Sequence, residues 1–285
     1  MKTFIIISIL LTAALADDQP SFPAFTTHQR EIVNPDSVDD FVFNGNVTKP
    51  PSSRPVIKIS NGRQARDGQF PFVAEISINL QFGGLLCTGS LIAKNWILSA
   101  RHCIADTNAK SVLASLGSAD RQNPTVRIYS NMFIWLNAGD GHHPDIALFR
   151  LAQNAPNNNR VKPIALPSRG RQNSLFEGNV GTAIGFGGTG GGQLPRYLQY
   201  TQFRVLNRNQ CYLGENILCS QPQSGTSSLQ GGDSGGPFVD TVDGTLTLIG
   251  VNVFVATSGS NVWQGSTRVA GFLSFIHDST GIPYR

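Results

Sequence analysis

Beyond residue 62, apolar side chains occur in short runs separated by glycine, proline, asparagine and aspartate. In residues 76–80 apolar and polar positions alternate, which is the period of a strand in a half-buried sheet. Residues 246–255 form another largely apolar run that is too short for a helix. Many such runs predict an all-β sandwich or barrel. Near the end the period becomes helical and predicts one docked C-terminal helix, at Val269, Phe272, Leu273 and Ile276.

Residues 1–16 have the pattern of a secretory signal peptide. Lys2 precedes an almost unbroken apolar run that ends in Ala-Leu-Ala at position 16. This run is shorter than the roughly 20 residues of a transmembrane helix, and no later segment is long enough either. We therefore expect cleavage after Ala16 and a secreted, extracellular protein without a membrane anchor, in an environment that permits disulfides.

Residues 17–58 differ in composition from the rest of the chain. They contain six prolines, no cysteine and no sustained period of a strand or a helix, which predicts an extended pro-segment. Asn46, followed by Val47 and Thr48, is a candidate glycosylation site in this exposed segment. Residues 59–285 are then the folded part of the chain.

Composition and charge exclude several classes of protein. Of 285 residues, 40% are hydrophobic and 14% are charged, which is globular composition and argues against disorder or collagen. The net charge is +4 and no run of Lys or Arg concentrates it, so nucleic acid is not an expected partner. Residues 185–190 satisfy the glycine spacing of a dinucleotide fingerprint, but no helix follows them, so we predict a flexible loop there.

Three segments carry candidate chemistry. Ser234 lies among glycines in Gly-Gly-Asp-Ser-Gly-Gly-Pro, where consecutive N–H groups can converge on one oxygen. His102 and Asp145 are each flanked by apolar, strand-like residues that would hold them in place. The alternative for the Ser234 segment alone is a tight turn, and the alternative for each of the three residues is a structural polar side chain. His142 and His143 have no partner at metal-ligand spacing, so we expect no metal site there.

With these motifs in the order His, Asp, Ser, the chain from Ile59 to the C-terminus resembles the chymotrypsin-like serine proteases. The run 253–255 and the ending 272–284 are similar to the Jonah-type digestive proteases of flies. The resemblance implies two perpendicular six-stranded antiparallel β-barrels with a C-terminal helix, and an active site in the cleft between the barrels. It also implies a monomer that hydrolyses protein or peptide substrates without a cofactor.

The resemblance assigns roles by position. Ser234 matches the nucleophile, His102 the general base, and Asp145 the carboxylate that orients the histidine. The backbone N–H groups of Gly232 and Ser234 match the oxyanion hole. The region after Cys103 lacks the carboxylate cluster of the family's calcium loop.

The cysteines agree with the resemblance. It implies one disulfide that ties the histidine segment and a second in the C-terminal barrel, namely Cys87–Cys103 and Cys211–Cys219. Four cysteines allow three connectivities, and a zinc site is the alternative, although the spacings fit no common ligand pattern.

Lys58-Ile59 resembles the activation site of the family. A trypsin-like partner protease would cut after Lys58, and the new α-amino group of Ile59 would pair with the buried carboxylate of Asp233. The alternative is an ordinary surface lysine before a strand.

The substrate-binding residues expected from the resemblance are Ser228, Leu229, Val253, Phe254 and Val255. Ser228 aligns with the base of the specificity pocket, where an uncharged residue disfavours a Lys or Arg side chain of the substrate. The branched side chain of Val255 at the mouth of this pocket would exclude large aromatic side chains of the substrate. We predict cleavage after small or medium apolar residues.

Three departures from the family pattern concern the rate of catalysis. The third disulfide of the family is replaced by Gln230 and Ser260, and Val253 replaces a serine that usually donates to the catalytic carboxylate. Arg101 precedes His102 where alanine is common, and we expect it to face solvent. A secreted homologue that binds partners or protease inhibitors without cutting therefore stays open as an alternative. A carbohydrate-binding module has no aromatic pattern to support it.

Overall fold

A computed structural model describes residues 62–80, 84–105, 107, 109–137, 144–188, 194–211, 213–223, 225, 227–258 and 261–284, and the backbone of one strand over Thr26–Glu31. The predicted signal peptide, most of the pro-segment, Asn46 and the Lys58–Ile59 junction lie outside the described residues, as do His142, His143 and Ser260.

The first half of the chain forms a closed antiparallel barrel. The strands in this half of the chain are β1 (Thr26–Glu31), β2 (Arg63–Gln64), β3 (Val73–Asn79), β4 (Gly84–Ala93), β5 (Trp96–Ser99), β6 (Val112–Leu116), β7 (Val126–Asn137) and β8 (Ala147–Leu151). Six of them close in the order β3-β4-β5-β8-β7-β6, because β6 pairs with β3 and β7 pairs with both β6 and β8. β1 adds to β7, and β2 belongs to the second barrel.

The second half repeats this architecture. Its strands are β9 (Val180–Gly185), β10 (Gln199–Val205), β11 (Ile217–Pro222), β12 (Pro237–Val242), β13 (Thr245–Ser258) and β14 (Asn261–Arg268). They close in the order β9-β10-β11-β14-β13-β12 through the pairing of β10 with β11. The predicted fold of two six-stranded antiparallel barrels is confirmed.

Alternating side chains fill the barrels as the sequence pattern predicts. In β3, Ile76 and Ile78 are buried while Asn79 is exposed. Phe133 on β7 and Phe149 on β8 lie opposite each other in the first core, with ring centroids 5.4 Å apart in an edge-to-face arrangement.

In the part of the chain that the structure describes, helical structure is confined to short segments. A four-residue helix, α1, spans His102–Ala105. The predicted C-terminal helix is present as α2 (Leu273–Thr280), preceded by a 3₁₀ turn over Val269–Phe272 and ended by Gly281 in the left-handed conformation with φ 72°. Two other 3₁₀ turns lie at Arg169–Arg171 and Arg208–Gln210. Within the described residues, no helix is long and apolar enough to cross a membrane.

Both predicted disulfides are present. Cys87 on β4 is bonded to Cys103 in α1 with Cα atoms 6.4 Å apart, and Cys211 is bonded to Cys219 on β11 with Cα atoms 5.7 Å apart. The first bond fixes α1 against the strand beneath it.

Candidate active site

His102 is held at the point where β5 ends and α1 begins. The neighbouring Cys103 is tied to β4 by its disulfide. The backbone N–H of His102 donates to Oδ1 of Asp145 at 2.9 Å, and Nδ1 lies 2.6 Å from Oδ2 of the same carboxylate. A carboxylate facing Nδ1 selects the tautomer with the proton on that nitrogen. Nε2 is then the ring atom that can accept a proton.

Asp145 is positioned just before β8 and is connected to the other barrel. Its backbone carbonyl accepts a hydrogen bond of 2.8 Å from the hydroxyl of Thr267 on β14. The side chains of His102 and Asp145 are 34% and 22% exposed, so the pair is shielded on the protein side yet open to a substrate.

Ser234 lies in the glycine loop that precedes β12, and β4 of the first barrel holds this loop. The backbone N–H of Thr88 donates to the carbonyl of Ser234, and the Thr88 hydroxyl donates to the carbonyl of Gly232, each at 2.8 Å. A Cβ atom on Gly235 would lie 2.9 Å from the backbone nitrogen of Ala100, so only glycine allows this approach. The loop of Ser234 is thereby packed against the segment that leads to His102.

The same loop leaves two backbone donors available. Gly232 has φ 100°, a conformation that favours glycine. Within the described part of the chain, the N–H groups of Gly232 and Ser234 have no acceptor, whereas the N–H groups of Asp233, Gly235 and Gly236 are all bonded to backbone carbonyls. The resemblance to the chymotrypsin-like proteases implies that these two N–H groups form an oxyanion hole.

Asp233 is completely buried beside these donors. Its carboxylate accepts hydrogen bonds from the N–H of Gly187 at 2.8 Å and of Gln230 at 2.9 Å. Burial raises the pKa of Asp233 from 3.8 to about 7, because the two N–H donors offset only part of the lost hydration. A buried carboxylate of this kind calls for a cation.

The glycine run at 185–190 begins at the end of a strand and continues into residues 186–188, which have no regular secondary structure, as predicted, but which pack closely against Asp233. Gly185 ends β9, and a Cβ on Gly185 or Gly187 would collide with the carboxylate of Asp233. The N–H of Gly188 donates to the carbonyl of Gly231 at 2.8 Å. Residues 185–188 therefore form the wall around Asp233, and their lack of side chains makes room for it. Residues 189 and 190 lie outside the described part.

A cavity of about 240 Å³ opens next to Ser234. It is lined by Leu229, Gln230, Gly231, Ser234, Asn252, Val253, Phe254 and Val255. Four predicted substrate-binding residues are thus at this cavity. Ser228 is not among the described lining residues, and its hydroxyl donates to the carbonyl of Leu229 at 3.1 Å.

Sequence reasoning missed two buried polar residues on the same sheet face as Val255, which lines the cavity. Gln264 on β14 lies directly opposite Val255 on β13 and Ser220 on β11, so the three side chains share one face of the sheet. Gln264 and Ser220 are fully buried, and neither the amide atoms of Gln264 nor the hydroxyl of Ser220 has a partner among the described residues. The strand register that brings them together cannot be read from the sequence around Gln264.

Cys87, Cys103 and His102 place ligand-type atoms within 4.8 Å of one another. The two sulfurs are bonded to each other, so they are not the thiolates that bind metals. This cluster is the disulfide beside the histidine.

Comparison with known proteins agrees with this geometry. Residues 59–276 match the Trypsin family. "Serine protease 1" of Drosophila melanogaster is 32% identical over 244 residues, covering 80% of this chain and 87% of that protein. "Collagenase" of Hypoderma lineatum is 34% identical over 237 residues, covering 79% and 88%. A solved HL collagenase structure superimposes with a TM-score of 0.68 at 32% identity, covering 79% of this chain and 99% of that one. The chain belongs to the trypsin family of serine proteases and is a serine endopeptidase.

Proposed function

We propose that the chain is a secreted endopeptidase that hydrolyses peptide bonds through an acyl-enzyme on Ser234, with His102 as the base and Asp145 as its positioning carboxylate. The observation that carries this assignment is the double contact of His102 with Asp145, through its backbone N–H and through Nδ1. That contact fixes the ring on the side of the cleft where the glycine loop of Ser234 packs.

The reaction follows from this arrangement. Nε2 of His102 takes the proton of the Ser234 hydroxyl as its oxygen attacks the substrate carbonyl, and Asp145 stabilises the resulting imidazolium. His102 then gives the proton to the leaving amine, and water repeats the sequence to release the acid. The chemistry needs no cofactor.

The N–H groups of Gly232 and Ser234 bind the oxygen that becomes negative in the tetrahedral intermediate. One such donor typically contributes about 3 to 4 kcal/mol to transition-state stabilisation. The bonds from Thr88 to the carbonyls of Gly232 and Ser234 orient the peptide groups of this loop before the substrate arrives.

Activation is proposed to follow cleavage after Lys58 by a trypsin-like protease, leaving an enzyme of residues 59–285. The new ammonium group of Ile59 would supply the cation that the buried Asp233 requires. Because Asp233 lies between the two oxyanion donors in sequence, pairing at Asp233 would fix both of them. The raised pKa of Asp233, and the fact that its partners among the described residues are backbone N–H groups, support this proposal.

The specificity proposal is cleavage after small or medium apolar residues. No acidic side chain is among the described residues that line the cavity, so a bound Lys or Arg would lack a counter-charge. Val255 and Leu229 line the cavity, and Gln264 lies opposite Val255 on the neighbouring strand β14. Peptides that differ only in Ala, Leu, Phe or Arg before the scissile bond test this, and a preference for Arg would contradict it.

The decisive experiment is labelling with a fluorophosphonate. The full chain is cut after Lys58 and then treated, and mass spectrometry should find the label on Ser234. Uncut chain should react far more slowly, and Ser234→Ala is the matched control. A cut chain that is not labelled would favour a homologue that binds substrates or inhibitors without cutting them.

A further inference from the structure

The pro-segment contributes one strand to the folded part of the protein. β1 pairs antiparallel with β7 in a continuous register of six residue pairs, from Thr26 opposite Asn137 to Glu31 opposite Met132. Nothing in the catalytic mechanism requires this strand, which lies outside the closed six-stranded barrel.

The position of β1 follows from the two edges of β7. Ser130 pairs with Val112 of β6 on one side and with Leu151 of β8 on the other. Beyond Ser130, β8 continues to pair with one edge of β7. β6 does not extend along the other edge, so β6 leaves that edge of the second half of β7 uncovered. β1 occupies this edge and runs in the same direction as β6, since both are antiparallel to β7.

The two paired segments differ in chemistry. Residues 132–137 read Met-Phe-Ile-Trp-Leu-Asn, whereas β1 reads Thr-Thr-His-Gln-Arg-Glu. An unpaired apolar edge strand is a template for pairing with other chains, and short strands with charged residues protect such edges. β1 is short and polar and therefore suits an outermost, protective strand.

We propose that the edge of β7 over residues 132–137 is a strand-binding site whose occupant is the pro-segment strand Thr26–Glu31, and that the strand remains bound without a covalent link after activation. This rests on the proposed cleavage after Lys58. Main-chain hydrogen bonds provide the binding, as in other cases of strand addition.

Activation changes the strength of the pairing between β1 and β7, although the paired residues stay the same. In the uncut chain β1 is covalently joined to the rest of the protein, so its pairing with β7 is intramolecular and the effective concentration of the strand is high. After cleavage the same pairing is bimolecular, so occupancy depends on protein concentration. The edge is protected in the precursor and becomes exchangeable in the enzyme. Asn137 lies eight residues before Asp145, so the site is on the strand that leads to the catalytic carboxylate.

The first test uses the uncut chain with Ser234→Ala to prevent self-digestion. Single variants Thr27→Pro, His28→Pro, Gln29→Pro and Arg30→Pro are compared by hydrogen exchange at residues 136 and 137, which β8 does not cover. In an edge strand alternate N–H groups face the partner, and proline is tolerated only where the N–H faces solvent. The two variants whose replaced N–H faces β7, at positions 27 and 29 or at 28 and 30, should speed exchange at least tenfold over the parent protein. The other two variants are the matched control and should speed it less than twofold. Equal effects in all four variants, or none in any, would overturn the pairing.

The second test asks whether the strand stays bound after cleavage. The same protein is cut after Lys58 and passed through gel filtration over a range of concentrations. The pro-segment should co-elute at high concentration and separate on dilution, and the sensitive proline pair should separate at tenfold higher concentration or more. Separation of the wild-type segment at every concentration would overturn retention. If Lys58 resists cleavage, the activation proposal fails while the exchange test still decides the pairing.

Discussion

The buried carboxylate of Asp233 leads to an opposite expectation for the protein before and after cleavage. In the uncut chain its pKa is raised from 3.8 to about 7 by burial. A group with a raised pKa contributes its full stability below the unfolded value and loses it as the pH rises through the folded value. At about 1.4 kcal/mol for each pH unit, the difference between 3.8 and about 7 amounts to about 4 kcal/mol.

The substitution Asp233→Asn isolates this effect in the uncut chain. Wild-type protein should lose about 2.5 kcal/mol of unfolding free energy between pH 5 and pH 8 through this group, because most of the titration lies in that window. The amide that replaces the carboxyl does not ionise, so the variant should keep a flatter profile at the cost of one imperfect hydrogen bond to Gly187 or Gln230. Urea unfolding of the Ser234→Ala background at both pH values gives the free energies, provided the slope with denaturant stays constant.

After cleavage the sign reverses. The ammonium of Ile59 would hold Asp233 ionised, and removing one partner of a buried ion pair costs about 3 to 5 kcal/mol. The cut Asp233→Asn enzyme should therefore lose both stability and activity at pH 8. Asp278→Asn, at an exposed position on α2, is the control that should change neither form. Matching pH profiles for wild type and Asp233→Asn in the uncut chain, or full activity of the cut variant, would refute the reasoning.

Three further substitutions test the site. Thr88→Val removes the hydroxyl that donates to the carbonyl of Gly232 and should lower kcat at least tenfold, because unpaired buried polar groups cost about 1 to 3 kcal/mol each. Thr88→Ser keeps a hydroxyl and should retain most activity. Thr267→Val removes the bond to the carbonyl of Asp145 and should lower kcat about fivefold, equivalent to about 1 kcal/mol, with little change in KM; a change in KM alone would contradict this role. Gln264→Ala should enlarge the space beneath the cavity and raise kcat/KM for Leu relative to Ala substrates about tenfold, and an unchanged ratio would place Gln264 outside the pocket.

The sequence predicts those parts of the protein whose signals are local. Alternation in residues 76–80 predicts β3, and the helical spacing near Leu273 predicts α2, because each pattern reflects burial against one core. His102 and Asp145 stand out because apolar, strand-like residues flank them, and the structure brings both side chains together. The disulfide pairs follow from the resemblance to the family.

β1 is not predictable from side-chain pattern. Strand pairing at an outer edge depends on main-chain groups, so its sequence needs no alternation of apolar and polar residues. The sequence of residues 26–31 therefore does not stand out from the residues on either side of it. The edge of β7 that it pairs with is left uncovered by β6 because β6 begins at Val112, opposite Ser130, which is a property of the barrel.

The glycines at 185 and 187 show how distance along the chain hides a constraint. They are required by the carboxylate of Asp233, far later in the sequence, and not by any turn of their own. Thr88 shows the same principle from the first barrel. Its hydroxyl accepts from the N–H of Phe186 at 3.1 Å and donates to Gly232, so one buried side chain joins the wall of the Asp233 site to the oxyanion loop. A threonine inside an ordinary strand carries no sign of this in the sequence, and its function exists only where the two barrels meet.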